Sequence, residues 1–177
     1  MPETGSDVLI VGGGVVGSSI AYFLSAGSTP EKLRIRVVEP DPTYARSSTA
    51  LSVGGIRQQF STPENIALSL FSSRFLKEAH RLLSVEGEGP DLGFREDGYL
   101  FLATPPGIPV MKRNLALQRE LGAEVEFLSK EALGDRFPWL DVSDLGGASW
   151  GLRNEGWLDP FSLLQGFRKK AGSQGVA

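Results

Sequence analysis

The chain has 177 residues, enough for one sizeable core or for one domain and part of a second. Its composition is that of an ordinary globular protein, and a net charge of −3 with scattered lysines and arginines gives no basic footprint for nucleic acid. No apolar stretch reaches the length of a membrane span, and the lack of cysteine excludes disulfides, thiol chemistry and thiolate metal sites within these residues.

Met1 to Asp7 precede the first strand and do not read as a signal or transit peptide. Val8 to Val11 is apolar throughout, the pattern of a buried strand. It runs into Gly12-Gly13-Gly14-Val15-Val16-Gly17, after which Ser18 to Leu24 reads as a helix. Strand, glycine turn and helix start together make a phosphate cradle. Gly12 allows the turn, Gly14 lets backbone N–H groups of the Val15-Val16 segment close on a pyrophosphate, and Gly17 lets the helix pack tightly on the strand. The helix N-terminus adds unpaired donors and roughly +0.5 of charge. After a connecting loop over Ser25 to Lys32, Leu33 to Val38 reads as a second strand. Glu39 ends it, about 20 residues past Gly17, where an acid would hold the ribose hydroxyls of an adenine dinucleotide.

Pro40-Asp41-Pro42 breaks the chain, and the small-residue stretch Ala45 to Ile56 has neither helical nor strand periodicity. A nicotinamide enzyme would continue βαβ at this point, so the NAD reading fits Gly12 to Glu39 but not the small-residue stretch. Thr62 can cap a helix with Pro63 in its first turn. Ile66, Leu70, Phe71, Phe75, Leu76, Ala79 and Leu82-Leu83 give that helix an apolar stripe, and Gly87 ends the segment.

From Phe94 the pattern changes. Phe94 to Ala103 reads as a strand or bent hairpin turning at Asp97-Gly98, and a helix runs from about Pro109 to Leu121 with Gly122 as its stop. Glu124 to Leu128 is a short strand, Lys130 to Arg136 a helical turn, Phe137-Pro138-Trp139-Leu140 a packed bend, and Gly147 to Leu152 another strand. Asp159 caps a last helix that has Pro160 at its first position and reaches about Ala171. The expected class is α/β. A partial Rossmann-like nucleotide domain takes residues 1–90, part of a mixed-sheet domain takes 91–158, and a helix returning to the first domain takes 159–177.

Gly12 to Gly17, Glu39 and the Ser47–Gly55 loop resemble the FAD-dependent amine and amino-acid oxidoreductases, such as D-amino-acid oxidase, glycine oxidase and sarcosine oxidase. Gly98-Tyr99-Leu100, Phe137 to Leu140 and Gly156-Trp157-Leu158-Asp159-Pro160 match landmarks of that family in order. Leu51 to Ser61, with Pro63 to Ile66 and Leu68 to Phe71, is similar to a mitochondrial branch linked to assembly of respiratory complex I. The resemblance implies FAD as cofactor and oxidation of a C–N bond of a small amine or amino acid by hydride transfer to flavin N5. It also implies a second possible role, as an assembly factor whose partners are complex I intermediates. A mitochondrial location is implied by the same likeness, with the cytoplasm as the alternative. Family members are about twice this length, so the chain is expected to be a fragment, inactive alone, ending as another strand begins at Gly175-Val176-Ala177.

By that resemblance the Ser47–Gly55 loop, with Ser47, Ser48, Thr49, Gly54 and Gly55, passes near the pyrophosphate and the flavin ring. It holds no histidine for a covalent link, so FAD is expected to be non-covalent. Arg57 comes directly after it. Its guanidinium can bind a substrate carboxylate in bidentate fashion, stabilise charge on the flavin, or simply hold the loop by a salt bridge. Gln58 and Gln59 carry hydrogen-bonding groups, with nothing to set them apart from residues approaching a helix. His80, the single histidine, is expected at the surface or partly buried on its helix. Tyr99, Phe101, Trp139, Trp150 and Trp157 are expected mainly as packing residues, and no ligand set supports a metal.

Overall fold

The structure is a computed structural model that describes residues 5–27 and 33–177. In chain order its elements are β1 (Val8–Val11), α1 (Val15–Ala26), β2 (Ile35–Val38), β3 (Gly55–Ile56), α2 (Pro63–Lys77), α3 (Ala79–Leu82) and β4 (Tyr99–Ala103). Then come α4 (Ile108–Glu120), β5 (Val125–Ser129), α5 (Lys130–Arg136), β6 (Gly147–Gly151), β7 (Gly156–Trp157) and α6 (Pro160–Ser173). They fall into two compact units. The first comprises the N-terminal segment through Gly54, Lys77–Gly93 and Asp159–Ala177; the second comprises Gly55–Leu76 and Phe94–Leu158. Gly55–Leu76 thus groups with the later sheet, so the boundary expected at residue 90 moves for this segment. The connecting loop expected from Ser25 starts inside α1, and its remainder, Ser28 to Lys32, lies outside the described residues.

In the first unit β1 and β2 pair in parallel, Val8 with Ile35 through Val11 with Val38, and α1 makes the crossover that a parallel pair requires. Ala177 donates its N–H to the Ile35 carbonyl at 3.1 Å and accepts from Val37 N at 2.7 Å, a further parallel bridge on β2. Helix α6 packs on α1 through Phe167, whose ring lies 5.5 Å from Tyr22 and 6.3 Å from Phe23. Ala21, Tyr22, Leu164, Phe167 and Ala171 make that seam apolar and buried. Asp159 caps α6, accepting from Phe161 N at 2.9 Å and from the Ser162 hydroxyl at 2.6 Å. The apolar run of β1, expected to be buried throughout, is buried on one face: Ile10 points inward, whereas Leu9 is 57% and Val11 81% exposed. The long helix expected from Thr62 to Leu83 divides at Glu78, whose ψ of 0° leaves helical geometry. It resumes as α3 with Ala79 and Leu83 buried.

In the second unit β6 is the centre of an antiparallel sheet ordered β4-β6-β5. Leu128, Leu133 and Ala148 form a core with Leu100, Phe137, Leu140 and Trp150, and Leu115, Ala123 and Val125 form another with Phe127. Ser129 caps α5 by accepting from Ala132 N. The segment around Asp97-Gly98 is a bend between two partners and not a hairpin. Arg95 exchanges backbone hydrogen bonds with Trp157, Gly98 turns the chain at φ +85°, and Tyr99 then pairs with Gly151. Strands β3 and β7 pair antiparallel, Gly55 with Trp157. Side chains alternate across a strand, so Tyr99, Phe101, Ser149 and Gly151 share one face of the β4-β6-β5 sheet.

Candidate functional site

The glycine turn of the first unit leaves little choice of residue. Gly12 has φ +97°, a conformation that side chains resist. A Cβ on Gly17 would sit 1.9 Å from the Gly12 carbonyl oxygen, so only glycine lets α1 approach the turn this closely. Gly14 precedes α1 without a side-chain cap, and the first helical turn carries no acidic residue. The first N–H groups of α1 have no carbonyl partner within the helix, which leaves an electropositive end with no acidic side chain in its own first turn.

Glu39 is more than a solvated charge at a strand end. Its Oε2 accepts from Gly13 N at 2.7 Å and its Oε1 from Asp41 N at 3.0 Å, tying the glycine turn to the end of β2. Each oxygen keeps a lone pair for a hydroxyl donor. Thr49 Oγ1 accepts from Val15 N at 3.0 Å, so the loop after β2 closes over the start of α1. Ser47 Oγ accepts from Ala50 N, and Ser52 Oγ from Gly54 N, while Ser48 is exposed. Tyr44, buried at φ +59°, packs its hydroxyl where a Cβ of Gly13 would come within 3.0 Å. Gly13 and Tyr44 do not stand out in the sequence, because the fit between them depends on a reversal at Pro40–Pro42.

These residues fit the ADP half of a dinucleotide. A helix N-terminus with only Val15 N engaged by a side chain, a turn with no room for side chains and an acid with spare acceptors at the end of β2 are complementary to pyrophosphate and ribose.

In the second unit a cavity of about 510 Å³ is lined by Arg57, Gln59, Phe101, Met111, Gln118 and Ser149, among others. Arg57 is half-buried. Its guanidinium lies 4.7 Å from the Phe60 ring centre and 5.3 Å from that of Phe101, and it makes no ion pair or side-chain hydrogen bond among the described residues. Of the three roles open to it from the sequence, the structural salt bridge is not made among the described residues.

The segment that carries Arg57 is held at nearly every backbone polar group. Ser69 Oγ donates to Arg57 O, Gln58 N and Gln59 N donate to Glu155 Oε1 at 2.5 and 3.1 Å, and Gln118 Nε2 donates to Phe60 O at 2.9 Å. Glu155 is fully buried, and Gly151 is glycine where a Cβ would fall 1.7 Å from Glu155 Oε2. Burial pushes the Glu155 carboxyl above its ordinary range, opposed by the donors on Gln58 and Gln59 and by the charge of Arg57. Gln58 and Gln59, at 0% and 8% exposure, are structural members of the site and not residues merely approaching a helix. Sequence reasoning passes over Glu155 and Ser149. The one local signal is an acid, Glu155, set directly before Gly156 and Trp157.

The aromatic side chains divide. Phe101 lines the cavity, Trp150 packs against Phe137 and under Arg136 at 3.6 Å, and Trp139 and Trp157 are exposed. His80 is exposed on α3. No helix among the described residues is long and apolar enough to cross a membrane.

Residues 7–177 match the family model described as FAD dependent oxidoreductase. The chain is 51% identical over 178 residues to FAD-dependent oxidoreductase domain-containing protein 1 of Bos taurus, covering 99% of this chain and 37% of that protein. It is 29% identical over 172 residues to the glycine oxidase of Geobacillus kaustophilus, covering 96% of this chain and 44% of that protein. Among solved structures it is similar to L-proline dehydrogenase from P. horikoshii, with a TM-score of 0.79 and 29% identity over 99% of this chain and 44% of that one. The chain thus spans well under half the length of these relatives.

Proposed function

The chain belongs to the FAD-dependent oxidoreductase family, and on that footing we propose that its first unit holds the ADP half of FAD while its second binds the substrate of an amine or amino-acid oxidation. When bound, FAD supplies the two-electron acceptor for oxidation of a substrate C–N bond. In this reading the N–H groups around Gly14 to Gly17 face the pyrophosphate, and the free lone pairs of Glu39 accept from the ribose. Thr49 holds the loop over Val15 N so that the helix end keeps its shape. The loop from Ser47 to Gly55 offers no histidine, consistent with a cofactor held without a covalent bond.

The observation that carries the substrate half is the unpaired, half-buried Arg57 guanidinium at the cavity wall. The buried Glu155 carboxyl feels the charge of Arg57 but makes no ion pair with it among the described residues, which leaves the guanidinium N–H groups for a ligand, and a planar fork of donors suits a carboxylate. The rings of Phe60 and Phe101 keep the fork in place without using its N–H groups. L-proline and glycine, named in two of the similar proteins, both place a carboxylate beside the reacting nitrogen.

The test is anaerobic reduction of the flavin in the natural protein that contains this chain, with a panel of secondary amines and amino acids. Carboxylate-bearing amines should bleach it, and Arg57→Ala should raise their KM by about tenfold or more, the loss expected for a charge-assisted hydrogen bond. No bleaching by any compound, with co-purification of complex I subunits, would instead support the assembly role and with it a mitochondrial location.

A further inference from the structure

The hydrogen bonds around Glu155 have a direction, and that direction ends at the cavity. Three donors face the carboxylate: Gln58 N, Gln59 N and Gln59 Nε2, the last at 2.8 Å from Oε2. All of them give protons and none takes one, so the group accepts at both oxygens. Gln59 Nε2 also donates to Tyr99 O at 2.8 Å, a backbone carbonyl that can only accept. With two obligate acceptors on its nitrogen side, the Gln59 carboxamide has a single orientation, and its Oε1 must point to Ser149 Oγ, 2.6 Å away. The Ser149 hydroxyl therefore spends its one proton on Gln59.

We infer that Glu155, acting through Gln59, fixes Ser149 as an acceptor-only group on the cavity wall, so that the cavity selects ligands offering an N–H donor at that point. The inference rests on the reading of Arg57 as the carboxylate binder and adds a second recognition element to the same cavity. Gln118 reinforces it. This residue is 4% exposed, its Nε2 is committed to Phe60 O, and its Oε1 has no hydrogen-bond partner among the described residues. Ser61 and Asn114 also line the cavity and carry donors, but at Ser149 and Gln118 the wall combines the Arg57 cation with two oxygens that only accept. That set complements a molecule carrying a carboxylate and a protonated or N–H-bearing amine, and it disfavours an ether or a second carboxylate. Ser149 is the specificity-determining residue and Glu155 the positioning residue behind it.

The experiment is equilibrium binding of two isosteric probes, N-methylglycine and methoxyacetate, to the full-length protein. They share carbon skeleton and carboxylate and differ in a donor NH2+ against an ether oxygen. The native chain should prefer N-methylglycine by on the order of tenfold, the worth of one charge-assisted hydrogen bond. Ser149→Ala should bring the two to within about twofold by removing the acceptor. In Glu155→Gln the new amide nitrogen faces Gln59 Nε2, donor against donor. Gln59 is then caught between a donor at position 155 and the Tyr99 carbonyl, so neither orientation of its carboxamide satisfies both and Ser149 loses its fixed acceptor role. The preference should narrow toward parity, whereas a merely structural loss would weaken both probes by the same factor. Should Glu155→Gln fail to fold, the ratio in Ser149→Ala decides. Equal affinity of the native chain for both probes, or an unchanged ratio in Ser149→Ala, overturns the inference. If Arg57→Ala still weakens both probes, the carboxylate reading survives that result. Binding of neither probe, or Arg57→Ala behaving as the native chain, removes the carboxylate reading and this inference together.

Discussion

Gly17→Ala should cripple the cradle far more than Gly12→Ala, although both replace glycines of one turn. At Gly17 the added Cβ would lie 1.9 Å from the Gly12 carbonyl oxygen and 3.1 Å from both Gly12 C and Ile10 Cγ2. Ordinary contact begins at 3.4 Å, so the start of α1 must retreat by about 1.5 Å from backbone that cannot rotate away. Overpacking of this kind costs about 1–3 kcal/mol of stability. The same retreat takes the helix N-terminus out of register with a bound pyrophosphate, an interaction worth up to about 2 kcal/mol, or roughly thirtyfold in affinity. At Gly12 nothing lies within 4 Å of the added Cβ, and the cost is only that of a left-handed backbone at φ +97°, roughly 1–2 kcal/mol. Calorimetric titration with ADP and urea unfolding, run on both variants, check this. A Gly17→Ala chain that binds ADP within about twofold of the native chain at an unchanged urea midpoint would refute the geometric account.

Glu39→Gln leaves one oxygen to satisfy both Gly13 N and Asp41 N, and should lower the unfolding free energy by about 1 kcal/mol, read from the urea midpoint. Asp7 is held at about 2 by the hydrogen bond and charge of Arg34, so its folded pKa lies below the unfolded one. Its contribution is then complete above about pH 4 and disappears as pH falls toward 2, and the difference in thermal midpoint between the native chain and Asp7→Asn should shrink over that window. Leu133→Ala removes a side chain with no exposed surface from the second unit's core and should cost about 2–5 kcal/mol by chemical unfolding. The 177-residue chain should self-associate through the exposed apolar face of β1, and Val11→Thr should reduce the light-scattering mass at a given concentration.

Local patterns are legible in the sequence, and remote pairings are not. The β1–turn–α1 unit reads directly because glycine spacing and helix onset lie close together in the chain, and α5 at Lys130–Arg136 appears with its expected bounds. The break at Glu78 is invisible in an apolar stripe that continues through it, since periodicity reports a face and not the backbone angles of a single residue. Phe94–Ala103 reads as a strand or bent hairpin because Asp-Gly signals a turn, yet the partners of its two arms, Trp157 and β6, are supplied by residues far downstream. Arg57 stands out by its place after the small-residue loop. Gln59, Ser149 and Glu155 do not, because each is an ordinary polar residue until hydrogen bonds spanning 90 to 97 positions bring them together.

The clamp on Arg57 to Phe60 also has a consequence for the order of folding. Its ties run to Ser69 on α2, Tyr99 on β4, Gln118 on α4, Ser149 on β6 and Glu155 before β7, across sequence separations from 12 to 97. Closing such long loops is slow and yields nothing until the sheet exists to receive them. A buried carboxylate can leave water only when its donors are already in place. The wall that presents Arg57 is therefore complete only when all of these elements are in place, and ligand binding there is a gauge of complete folding rather than of local order.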